Sequence, residues 1–91
     1  MVIPNSVDNV FTYVLTNDIF DIVAEYGVTA VAMELIAGTA TFEGSLKLGS
    51  VDSAPITLTI GDPVTIGQSQ AIDRLTIDAS AGTVNIICKR Q

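Results

Sequence analysis

From Thr39 to Leu48 the chain alternates without interruption. Ala40, Phe42, Gly44, Leu46 and Leu48 fall on one side, and Thr41, Glu43, Ser45 and Lys47 on the other. A period of two is the pleat of a β-strand, and an apolar–polar split is that of a strand covered on one face. The pattern recurs along most of the chain. Pro55–Ile60 sends Ile56, Leu58 and Ile60 inward, and Pro63–Ile66 sends Val64 and Ile66. Ile72–Ala79 sends Leu75 and Ile77, and Thr83–Cys88 sends Val84, Ile86 and Cys88. Val28–Ile36 puts Val31, Met33 and Leu35 on one face. Eleven isoleucines, ten valines and ten threonines against six leucines favour strands, because β-branched side chains fit a pleated surface.

The punctuation between these runs reads as turns. Ala37-Gly38 and Ser80-Ala81-Gly82 look like two of them, and Gly61-Asp62 has the Gly-first form of a II′ hairpin. Gly44 on an inward face suggests a bulge or close backbone approach. Asn17–Gly27 admits two readings. Ile19, Ile22, Val23 and Tyr26 fit helical spacing, with Asn17 as cap and Gly27 just past the end. A strand over Ile19–Ala24 with a turn at Glu25–Gly27 also works, and the β character of every neighbouring segment favours it. The expectation is a single all-β domain over residues 1–91, with residues 1–9 as an N-terminal arm. Its architecture is an antiparallel β-sandwich or jelly roll of about eight short strands. Val31, Phe42, Leu46, Leu58, Ile60, Leu75, Ile77, Val84 and Ile86 form the expected core.

Ten acids against four bases leave a net charge of −6, which disfavours nucleic acid and anionic lipid as partners. Lys89 and Arg90 are too few for a nucleic-acid arm and read as a solvated tail. No stretch approaches the length of a transmembrane helix. The first residues lack a basic and an apolar signal region, so synthesis in the cytoplasm is expected.

Catalytic constellations are scarce. Without histidine, neither a Ser-His nor a Cys-His pair can form. Cys88 runs in phase with Val84 and Ile86 and reads as a buried thiol. Asp73 and Asp78 flank one strand, and Asp52 and Asp62 lie in or beside turns, where aspartates serve their own backbone. No calcium-loop spacing joins them. No enzyme activity, metal or cofactor is expected. Tyr13 and Tyr26 could stack on a sugar, as in a carbohydrate-binding or adhesive module, although core or interface packing is the simpler role.

The oddity is apolar groups on positions that alternation assigns outward. Val10 and Val14 oppose Phe11 and Leu15, and Ile87 opposes Ile86 and Cys88. With no disulfide to staple a small domain, these three residues are candidates for an oligomer interface.

The stretches AGTATFEGSLKLGS, APITLTIGDPVTI and IDRLTIDASAGTVNII give residues 27–88 a cadence that resembles small all-β structural proteins of tailed bacteriophages. These are proteins of the capsid decoration or head- and tail-fibre kind. The resemblance implies a non-enzymatic virion protein that assembles as a homo-oligomer, commonly a trimer, on a capsid or tail protein. It implies no catalytic residues.

Overall fold

A computed structural model of the chain describes residues 10–45 and 55–90. Leu46 and the first nine residues, expected as core and arm, lie outside the described residues. Among the described residues, five strands form one antiparallel sheet: β1 (Val10–Val23), β2 (Val28–Ser45), β3 (Ile56–Thr57), β4 (Val64–Gly67) and β5 (Arg74–Arg90). The order is β1-β5-β2-β3, and β4 pairs with β2 on the same side as β3. The domain is all-β, as alternation predicts, but five strands stand where eight short ones were expected.

The reason is that three strands are long. β1, β2 and β5 contain 14, 18 and 17 residues. Straight strands of that length would span about 46–60 Å. The molecule measures 31 × 31 × 21 Å, so all three must bend. Each bends at the same level. In β1, Asn17 takes φ 51° in a register shift between Thr16 and Asp18. In β2, Gly38 takes φ 71° between shifts at Leu35/Ala37 and Thr39/Thr41. Gly38 faces Gly82 of β5.

That glycine pair is a steric requirement. A Cβ at Gly38 would lie 2.8 Å from the Gly82 Cα, and one at Gly82 would lie 2.5 Å from the Thr39 carbonyl oxygen. Ala37-Gly38 and Ser80-Ala81-Gly82 therefore do not reverse the chain. They carry β2 and β5 through a corner, and both expected turns are corrected to bends. Extra residues at a bulge bend a strand and raise its twist. Gly44 makes the expected close approach, with its absent Cβ aimed at the Arg74 carbonyl and 2.8 Å from the Leu75 Cα.

The corner also exchanges which parity is buried. Leu15 is buried before it and Ile22 after; Leu35 before and Ala40 after; Ala79 before and Gly82 after. One face thus stays inward along the whole strand. Tyr13 and Phe20 confirm the folding within β1: their rings stack at 5.2 Å and 11°. Seven residues apart on a straight strand, they would sit about 23 Å from each other. The inward face of both halves forms a single cluster that includes Phe11, Ile22, Val31, Phe42, Leu58, Ile77, Val84 and Ile86.

The Asn17–Gly27 ambiguity resolves as strand through Val23, then a single 3-10 turn at Ala24–Tyr26. The Pro55–Ile60 expectation is only partly met. Leu58 is buried, but Ile56 and Ile60 are exposed. The Asp62 amide donates to the Thr59 carbonyl at 3.1 Å, so Ile60-Gly61 forms the turn, one residue earlier than expected. Gly61 has φ 84°, the requirement of a type II turn at its third residue. Lys89 and Arg90 are the end of β5 rather than a tail. Lys89 pairs with Val10, and the Arg90 Nε–H donates to the Tyr26 carbonyl at 3.0 Å.

Candidate functional site

The corner divides the sheet into two halves with different outer surfaces. The first half comprises Val10–Thr16, Val28–Ala37 and Thr83–Arg90, with β4 alongside. Its outer face is read across the register in rows: Val10–Lys89–Ala30, Thr12–Ile87–Ala32, and Val14–Asn85–Glu34. The three residues singled out from alternation share this face. Val14 is 63% exposed and Ile87 48%, while Val10 is half-buried at the margin. Val14 and Ile87 sit diagonally, since Ile87 faces Thr12 and Asn85 faces Val14. Diagonal neighbours on a sheet lie within about 7–8 Å, so the two form one patch. A shallow cleft of about 230 Å³ adjoins it, lined by Ala32, Met33, Glu34, Pro63, Asn85 and Ile87.

The second half comprises Asp18–Val23, Thr39–Ser45 and Arg74–Ala79. Its outer rows are Ile19–Asp78–Thr41 and Asp21–Thr76–Glu43, followed by Val23 and Arg74, whose register partner Ser45 is buried. Asp21, Glu43 and Asp78 make this face acidic. The Thr76 hydroxyl donates to Asp21 Oδ1 at 2.7 Å, and Arg74 reaches back to Asp73 at 2.6 Å. A cleft of about 280 Å³ at the corner is lined by Thr39, Thr41, Thr57, Asp78 and Ser80 with Ala40 and Ala81. The Ser80 amide donates to Asp78 Oδ1 at 3.0 Å. Hydrogen bonds from the Ser80 backbone and side chain hold the Asp78 carboxyl below the usual aspartate range. The Asp78 carboxylate thus serves as an acceptor for its own strand.

The other chemistry-bearing residues are dispersed. Cys88 is fully buried between Phe11 and Val31, and burial pushes its thiol up to about 12. A thiol in that state is not a nucleophile at neutral pH. One face of Tyr13 is taken by Phe20, and Tyr26 packs against the core from the 3-10 turn, so the two tyrosines form no common platform. Among the described residues, no group of three or more His, Cys, Asp or Glu side chains could hold a metal ion. Asp52 lies outside the described residues. Compared with known proteins, the chain matches no protein family, no curated sequence and no solved structure.

Alternation missed the sheet margin. β1 is the outermost strand and, among the described residues, is paired on one side only. Local pattern carries no signal for which strand ends a sheet. Alternation also missed Ile19, which is 49% exposed, because the parity exchange at the corner was not visible.

Proposed function

We propose that this chain is a non-enzymatic structural module that works by homo-oligomeric assembly through the first half of its sheet. The observation that supports this reading is the Val10, Val14 and Ile87 face. It is apolar, carries one acid and one base in its rows, and adjoins an uncharged strand margin. In this reading the two halves act as the layers of a sandwich, with three strands shared between them. The virion surface as the setting, the capsid or tail protein as partner and the trimer as subunit number rest on the phage resemblance alone.

Assembly contributes through area removed from water, roughly 25 cal/mol per Å² of apolar surface before association costs. Closed symmetry would cover the patch without leaving it free to propagate. Sedimentation of the free chain, with binding to virion shells stripped of it, tests the proposal. Self-association or shell binding is the expected result. A monomer at all concentrations that ignores such shells would overturn it.

A further inference from the structure

The cleft at the corner takes no part in the contact face. One row of the sheet crosses it on four strands. Asp78 of β5 pairs with Thr41 of β2, Thr41 pairs with Thr57 of β3, and Ile19 of β1 flanks Asp78 from the other side. Neighbouring strands lie about 4.8 Å apart, so the row sets an acid and two threonines side by side at that interval. Thr39 and Ser80, from the corner stretches of β2 and β5, complete the polar lining. The cleft lies toward the corner, whereas Ser45 and Pro55, which border the undescribed residues 46–54, belong to the opposite end of this half.

The chemistry of the lining narrows what the cleft can hold. Five of its seven residues are polar, which disfavours an apolar guest. No base lines it, and Asp78 on a chain of net charge −6 repels an anion. A calcium ion takes about six to eight oxygen ligands, carboxylates prominent among them, and a single carboxylate lines the cleft. A neutral polyhydroxylated molecule fits the remaining case. Threonine and serine hydroxyls donate and accept, a carboxylate accepts, and a sugar hydroxyl does both. The Ser80 amide donates to Asp78 Oδ1 at 3.0 Å, so the acceptor is oriented before a ligand arrives. Ile19, exposed beside Asp78, offers an apolar contact to the C–H face of a pyranose ring. Tyr13 and Tyr26, the aromatic candidates for sugar contact, are not in the lining.

We infer that the corner cleft is a binding site for one neutral saccharide residue, with Asp78 as its charged acceptor and Thr41 and Thr57 as its hydroxyl partners. The site belongs to the second half and does not rest on the assembly reading, since a copy joined through the first half leaves it open.

Heteronuclear NMR spectroscopy of the backbone amides of the full chain, titrated separately with the methyl glycosides of glucose, galactose and mannose, tests the site. At least one glycoside should shift the amides of Thr41, Thr57, Asp78 and Ser80 to saturation, with a Kd of about 1–10 mM, the range for so small a ligand. Asp78→Asn keeps the size and removes the charge, and should weaken that binding about tenfold or more. Thr57→Val keeps the shape and removes the hydroxyl, and should weaken it about threefold or more. Thr57→Val carries the test if Asp78→Asn disturbs the fold. Asp21→Asn, on the same face but outside the cleft, should leave binding unchanged. Absence of saturable shifts with all three glycosides would overturn the inference. So would shifts centred on Tyr13 and Tyr26, binding that Asp78→Asn and Thr57→Val both leave intact, or cleft amides that respond to calcium chloride but not to the glycosides. None of these results bears on self-association, which sedimentation reads separately.

Discussion

The two halves of the sheet share one core but present opposite exteriors. Inward, Phe11, Met33 and Ile86 of the first half meet Ile22, Phe42 and Ile77 of the second in a single cluster. Outward, the first half shows Val14 and Ile87, and the second shows Asp21, Glu43 and Asp78. Because the same three strands run through both halves, the order β1-β5-β2 is common to the two, while β4 flanks the first half and β3 the second. The outward side chains and the strand margins differ. The difference teaches that the core demands hydrophobicity everywhere along these strands, while the outer surface is free to divide its labour. On the proposed reading, the neutral half makes the contact between copies and the acidic half does not.

The largest expected effect comes from breaking the corner that separates the halves. Gly82→Ala would drive a Cβ against the Thr39 and Ala37 carbonyl oxygens, at 2.5 and 2.7 Å. Backbone must then shift, so urea unfolding should show a loss of about 3 kcal/mol or more. Gly27→Ala meets nothing within 4 Å. It pays only for its φ of 70°, about 1–2 kcal/mol. Equal costs at the two glycines would mean that the corner is not sterically tight.

Next in size are core truncations, one from each half. Phe42→Ala and Ile86→Ala should each cost about 2–5 kcal/mol and leave a single unfolding transition. Two transitions, with each variant affecting only one, would show that the halves have separate cores.

Cys88 gives a pH dependence located in the first half. Its folded pKa is raised from the usual 9.0 to about 12 by burial. Below pH 9 both states hold the proton and stability is unaffected. Between pH 9 and 12 the unfolded chain releases the proton and the folded chain keeps it. Stability should therefore fall by about 1.4 kcal/mol per pH unit across that window. Alkaline unfolding of Cys88→Val, which has no proton to lose, should lack this component.

The smallest effect on folding belongs to the outer faces, and there the halves should part. Val14→Lys and Ile19→Lys both alter exposed positions of β1, at 63% and 49% exposure. Each should change fold stability by no more than about 0.5 kcal/mol. Sedimentation should show weakened association for Val14→Lys alone. Ile19 lies beside Asp78 in the acidic half, where a lysine meets an opposite charge.

Much of the core was legible from alternation. Val31, Phe42, Leu58, Leu75, Ile77, Val84 and Ile86 are buried as period two predicts. Val14 and Ile87 are exposed on one face, as the same pattern requires. Ile60 was misread because a turn begins there, and a turn releases the parity rule. The strand count was misread for a deeper reason. A break in parity flanked by glycine looks the same whether the chain reverses or bends. The choice is made by the partner across the sheet, as Gly38 facing Gly82 shows, and that pairing spans 44 positions of sequence. That β1 is the outermost of the described strands was hidden for the same reason, since strand order is a property of the assembled sheet.

On the proposed reading, the first half of β1 belongs to the contact surface and the second half does not. Residue-resolved hydrogen–deuterium exchange along β1, measured as protein concentration rises, tests it within one strand. Amides of Val10–Thr16 that point away from β5 should gain protection with concentration, while those of Asp18–Val23 keep a constant rate. Exchange that is independent of concentration in both halves, or protection that grows first at Asp18–Val23, would contradict it.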